Sequence, residues 1–156
     1  MQARTITTVD ELGEVVGQEL SAGDWFEVSQ ERINAFADAT EDHQWIHVDP
    51  ERAKSSPFGG TIAHGFLTLS LSLELSQQAE GIKVRLPAKM EINYGLNRVR
   101  FPNPVRSGKR IRARTKLLSV EEVQPSVFQV VNEITIDIED EAKPAMVAEL
   151  ITRSYL

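Results

Sequence analysis

Phe66-Leu67-Thr68-Leu69-Ser70-Leu71-Ser72-Leu73-Glu74-Leu75-Ser76-Gln77-Gln78-Ala79 admits two secondary structures. Leu67, Leu69, Leu71, Leu73 and Leu75 alternate with polar residues, which is the period of a strand. The run is nevertheless long for a strand, Thr68 is its one β-branched residue, and Leu is a strong helix former. A helix buried nearly all round loses its amphipathic stripe. Length and composition therefore outweigh period, and the run is expected to be a helix. What precedes it is Gly59-Gly60-Thr61-Ile62-Ala63-His64-Gly65, a glycine-rich approach. In that setting the free N–H groups of the first helical turn face a ligand and the helix dipole favours negative charge there.

Upstream, the chain reads as helical segments around a polar loop. Trp25 to Val28 is a candidate strand. Ser29 caps a helix running to about Ala39, with Ile33, Phe36 and Ala37 on its apolar face. Asp49-Pro50 is a second start signal, for a short helix to Lys54, and residues 57–60 form a loop. Residues 1–23 read as a peripheral arm, with a short helix from Val9 to Gly17. Downstream the pattern is β: Met90–Arg100, Ile111–Val120, Val127–Ile138 and Pro144–Tyr155, with a turn at Ser107-Gly108. The whole is one domain, residues 1–156, of α+β class.

Composition narrows the function classes. The chain has 156 residues and no cysteine, which excludes disulfides, thiol nucleophiles and thiolate metal sites. No apolar run reaches the roughly 20 residues of a membrane span, and no secretory signal is visible, so a cytoplasmic address is expected. Net charge is −6 but uneven: Lys83 to Lys116 holds 11 basic residues and one acid, Glu91. Such a stretch suits phosphates or an acidic partner, or is simply the solvent face of strands. It lacks interleaved aromatics, and nucleic acid is not an expected partner.

The richest polar cluster is Thr40-Glu41-Asp42-His43-Gln44-Trp45-Ile46-His47-Val48-Asp49. Asp42 and His47 can meet at one small molecule, polarise a water and shuttle a proton, because imidazole changes charge near neutral pH. The competing readings are structural: Asp42 capping a turn, Asp49 capping a helix, His47 hydrogen-bonded in the core. His43 and His47 are four apart, as two metal ligands on a helix would be. The zinc-motif glutamate is missing, however, and the Asp49-Pro50 cap argues against helix here, so no metal is expected. Gly65, with no side chain in the way, suits the oxygen of a polarised thioester.

Together these features resemble the MaoC-like, or (R)-specific enoyl-CoA hydratase, family, in a subgroup similar to nodulation protein N. The resemblance rests on Phe36 to His47 followed by Ala53, on Ile62-Ala63-His64-Gly65-Phe66, and on Asn97-Arg98-Val99-Arg100-Phe101 with Pro104-Val105 and Gly108. It spans roughly residues 24–153. Gln44 stands where the family has Asn, Trp45 where it has Pro, and Glu41 where Gly is frequent. The resemblance implies a hot-dog fold, a long helix wrapped by an antiparallel sheet, and a homodimer with sites near its interface. It implies hydration of a trans-2-enoyl-CoA to a (3R)-3-hydroxyacyl-CoA, with an acyl carrier protein as the alternative carrier and no cofactor. Asp42 and His47 would be catalytic and Gly65 the oxyanion donor. Gln44, His64, Asn97 and Arg98 would bind substrate, and Arg98, Arg100, Lys109 and Arg110 are candidates for CoA phosphates. A hot-dog thioesterase and a non-catalytic acyl-CoA binding module are the rival readings.

Overall fold

The run from Phe66 is a helix. In the computed structural model, which describes residues 4–156, α5 spans Gly65–Gln78. Its serines explain how an alternating sequence settles into a helix. Ser70, Ser72 and Ser76 turn their hydroxyls back onto the carbonyls of Phe66, Leu69 and Ser72 at 2.7, 2.6 and 2.7 Å. Each polar side chain is thereby satisfied within its own helix. Ser72 can then be buried beside Leu67, Thr68 and Leu75, while Leu69, Leu71 and Leu73 pack against the core from the flanks.

Ahead of α5 come β1 (Arg4–Ile6), α1 (Val9–Gly13), β2 (Glu19–Ala22), β3 (Phe26–Glu27), α2 (Gln30–Thr40), α3 (Trp45–Val48) and α4 (Pro50–Ala53). After it come β4 (Glu80–Val84), β5 (Met90–Arg100), β6 (Arg110–Gln124), β7 (Val127–Ile138) and β8 (Met146–Tyr155). The sheet runs β1-β4-β2-β6-β7-β8-β5, with β3 also on β6. All pairings are antiparallel except β1 with β4. Ile111, Ala113, Ile134, Ile136, Met146 and Ala148 on β6–β8 bury the helix face carrying Leu67 and Leu75. This is the α+β hot-dog arrangement of a helix wrapped by a sheet.

Both caps read from sequence are present. Ser29 accepts from the Arg32 N–H at 3.2 Å, and Asp49 from the Arg52 N–H at 3.0 Å. Three expectations change. Over residues 4–22, the stretch read as a peripheral arm contributes β1 and β2 to the sheet, and its helix stops at Gly13. Ile6, Leu12, Val15 and Leu20 form a second apolar cluster with Leu117 and Val130. These strands are too short to show a period, which is why they read as an arm. Residues 1–3 of that arm lie outside the described residues. Second, Trp45–Val48 is one helical turn, although the Asp49-Pro50 cap argued against helix there. The cap begins the next turn, α4, and the two turns abut at Asp49. Third, β4 follows α5 directly and was not anticipated.

Candidate active site

α2 ends at Glu41, which takes the left-handed conformation at φ 61°, ψ 16°. That turn carries Asp42 to the approach of α5. Asp42 Oδ1 accepts from the Gln44 N–H at 3.4 Å, and α3 follows. The Arg52 guanidinium stacks over the Trp45 ring at 4.3 Å, joining α3 to α4. Trp45, in the place of the family's proline, thus ties the segment down by side-chain packing.

His47 lies on α3 and is 7% exposed. Its Nδ1 donates to the Ile62 carbonyl at 2.7 Å. A carbonyl only accepts, so the proton is on Nδ1 and the lone pair of the neutral ring is on Nε2. Burial pushes the imidazole pKa down, and the neighbouring His64 adds to this, while the Ile62 bond and the Asp42 charge oppose it. Burial therefore favours the neutral form of His47. Its main chain is held as well. Gln30 at the start of α2 donates to the His47 carbonyl at 2.7 Å and accepts from the Thr61 hydroxyl. Gln30 was missed in the sequence, because a glutamine in a first helical turn carries no signal of its own.

His64 immediately precedes α5 and is 3% exposed. Its ring stacks on His47 at 3.8 Å between centroids and 24° between planes, with Phe36 at 4.9 Å. Its Nε2 donates to the Asp42 carbonyl at 2.9 Å and stands 4.0 Å from the Asp42 carboxylate. Its Nδ1 is buried without a hydrogen bond. His64 thus braces both Asp42 and His47, where a substrate-facing side chain was expected. The side chain of Asp42 remains 54% exposed.

Asp42, His47 and His64 offer ligand atoms within 4.8 Å of one another. As a metal site the set is poor. His47 Nδ1 and His64 Nε2 are spent as donors to carbonyls, and His64 Nδ1 is sealed, leaving one ring nitrogen and one carboxylate free. His43 is no competitor, since its ring turns outward to Asp38 at 2.9 Å. What remains is a neutral imidazole and a carboxylate close together, the two kinds of group that acid–base chemistry uses.

Gly65 opens α5 beside them. Among the described residues, no hydrogen bond occupies its N–H; the first turn closes with Leu67 and Thr68 donating to His64 at 3.1 and 3.2 Å. A Cβ at Gly65 would sit 3.1 Å from the Phe101 ring, so glycine is what lets the end of β5 close over this terminus. Gln44 is exposed and joins the group through its backbone. Asn97 and Arg98 lie on β5, exposed, at a bulge opposite Leu150 and Glu149. No hydrogen bond or ion pair links them to Asp42, His47 or His64 among the described residues. Of the other basic candidates, Lys109 and Arg110 pair with Glu141 and Glu139. Arg112 and Arg114 share Asp137, and Arg114 also meets Glu19. Four of the eleven basic residues of the cationic stretch are therefore in ion pairs. Among the described residues, no helix is long and apolar enough to cross a membrane.

Comparison with known proteins agrees with this geometry. The model of the MaoC-like domain matches residues 11–138. The chain is 49% identical to 3-hydroxyacyl-thioester dehydratase Z of Mycobacterium tuberculosis over 150 residues, 96% of this chain and 97% of that protein. It is also 49% identical to nodulation protein N of Rhizobium leguminosarum bv. viciae over 138 residues, covering 88% and 84%. Its fold matches the (R)-hydratase of A. caviae with a TM-score of 0.66 at 26% identity, covering 88% of this chain and 94% of that one. The chain belongs to the family of MaoC-like domains and carries that family's hot-dog fold.

Proposed function

We propose that this chain is a hydro-lyase that adds water to the double bond of a trans-2-enoyl thioester, giving the (3R)-3-hydroxyacyl thioester, and runs the reverse dehydration. The observation that carries this reading is His47: its Nδ1 proton is fixed on Ile62 and burial lowers its pKa, which leaves Nε2 unprotonated in a ring that stands within 4.8 Å of the Asp42 carboxylate. The half-identical M. tuberculosis dehydratase and the (R)-hydratase of A. caviae support the same chemistry.

The substrate carbonyl lies at the N-terminus of α5, where the Gly65 N–H and the helix dipole draw charge onto the thioester oxygen. One water sits between Asp42 and His47. Asp42 accepts one of its protons as a hydrogen bond and so orients it. His47 Nε2 takes the other as the oxygen bonds to C3. Electrons move from the double bond toward C2 and the thioester oxygen. The imidazolium then returns its proton to C2, and the sum is addition of one water. The step is redox-neutral and calls for no cofactor. CoA is the proposed carrier.

We also propose that two copies pair along β5. Among the described residues that strand bonds only β8, and it exposes Met90, Tyr94 and Leu96 on an open edge, with Phe66 and Phe101 exposed at the start of α5 and the end of β5. Sedimentation of the purified protein tests this pairing, and a monomer at micromolar concentration would overturn it.

The activity is tested with crotonyl-CoA, following loss of the conjugated thioester absorbance. A thiol reagent and chiral analysis of the product run alongside. Loss of the enone without free thiol, and a (3R) product, is the expected result. Release of CoA would replace this reading with a thioesterase. Tight acyl-CoA binding without turnover, across chain lengths and carriers, would replace it with a binding module.

A further inference from the structure

A cavity of about 650 Å³ lies at the opposite end of α5 from Asp42 and His47. Leu73 and Ser76 line it. They stand eight and eleven residues along α5 from Gly65, about 12 and 16 Å at the helical rise. That is the reach of a medium to long acyl chain whose thioester sits on Gly65. Ile134 and Leu150 supply apolar wall, as such a chain requires.

Two side chains in the same wall do not fit a purely hydrocarbon occupant. Thr115 is 7% exposed, and its hydroxyl has no hydrogen-bond partner. Asn132 also lines the cavity, and its Oδ1 is buried and unpaired. Unpaired polar atoms in a core are costly, and native structures carry few of them. Thr115 pairs with Ile134 across β6 and β7, and Asn132 lies two residues from Ile134 on the same face. The two are diagonal neighbours, about 7–8 Å apart at the backbone. One group inserted between them could meet both.

We propose that this cavity receives the far end of the acyl chain and selects a chain bearing a hydroxyl group there. The inference rests on the acyl-thioester reading given above. A hydroxyl satisfies both orphan atoms, since it donates to Asn132 Oδ1 and accepts from the Thr115 O–H. A methyl satisfies neither. A carboxylate would face the Asn132 oxygen with like partial charge. The cations Lys83, Arg85 and Lys89 are exposed, at the solvent side, and would hold a carboxylate outside the wall.

The test compares trans-2-enoyl-CoA substrates of matched length that end in a methyl, a hydroxyl or a carboxylate. Calorimetric binding of the corresponding free acids is measured alongside. The hydroxyl-ended chain is expected to lead by roughly tenfold in kcat/KM and in affinity, the size of two modest hydrogen bonds. Thr115→Val and Asn132→Leu are each expected to shrink that lead severalfold, and Thr115→Ser to keep it. A lead for the methyl- or carboxylate-ended chain overturns the proposal. So does a hydroxyl preference that survives both variants, or a failure of all three acids to bind. If no thioester turns over while the calorimetric preference and its Thr115 dependence hold, the catalytic reading falls and the cavity assignment stands.

Discussion

Asp38 and His43 are five residues apart, and so are Asp42 and His47, yet the two pairs behave in opposite ways. Asp38 sits on the last turns of α2, and His43 reaches back to it directly at 2.9 Å in open solvent, with the ring 51% exposed. The Asp38 hydrogen bond holds the His43 pKa above its ordinary value. Asp42 and His47 form no direct hydrogen bond. A second histidine lies against both, and burial drives the His47 pKa down. A histidine joined to its carboxylate in water is a stabilised cation and a spent base. A buried histidine whose proton is fixed elsewhere keeps a free lone pair. The same residues at the same spacing thus give a surface ion pair in one case and a candidate acid–base site in the other.

The largest expected effect comes from exchanging the pairs. His47→Gln and Asp42→Asn should each cut kcat ~100- to 10,000-fold, while His43→Gln and Asp38→Asn stay near wild type. Circular dichroism would check that all four remain folded. Equal losses from the two pairs would erase the distinction. His64→Phe keeps a ring against His47 but removes the bond to the Asp42 carbonyl. A kcat loss of roughly tenfold is expected, the weight of one positioning hydrogen bond, with the acid limb of the pH–rate profile moved toward higher pH, because His64 contributes to the lowered His47 pKa.

The pH dependence follows from the two shifts. Because the His47 pKa is lowered, the acid limb of kcat/KM should lie below the ordinary imidazole value of 6.5. Stability has the matching sign. Below pH 6.5 the unfolded chain takes up a proton at this position and the folded chain does not. His47 therefore lowers stability as pH falls from that value toward the folded pKa. His43 acts oppositely, because its raised pKa gives a contribution present in acid and lost as pH rises through the folded value. Thermal melts of His47→Gln and His43→Gln across this range should diverge from wild type in opposite directions. The smallest effect concerns Glu41, the left-handed residue that parts the two pairs. Glu41→Val should cost about 1–2 kcal/mol, because a β-branched residue resists positive φ. Denaturant melts would read it, and an unchanged midpoint would show that the turn is not under strain.

Much of this was legible in the sequence for identifiable reasons. Ser29 and Asp49 are caps with a fixed chemistry, and both were found where they act. The long strands β6, β7 and β8 are half-buried, and much of their alternation survives. The segment from Phe66 was resolved against its own period by length and composition. The serine hydroxyls that permit it, each bonded one turn back, are not a property of period. What stayed illegible depends on contacts far along the chain. β2 has four residues and finds β4 and β6 only in three dimensions. Gln30 reaches Thr61 and the His47 carbonyl across two helices. His64 was picked out by the motif around Gly65, but its stacking on His47 belongs to the fold. Nothing in spacing could distinguish His43 from His47, because burial is set by the turn at Glu41 and by what closes over it.

The parallel pairing of β1 with β4 also bears on how the chain folds. Arg4 lies beside Ile82, half the chain away, and the link between them includes the whole of α5. Long loops are expensive to close before other contacts hold their ends together, and parallel strands form slowly. The hairpins β6–β7 and β7–β8 are local and can collapse onto α5 first. The N-terminal strand then docks last. Until it does, Leu117 and Val130 on the sheet stay bare, a short window in which the growing chain offers an apolar face to its neighbours.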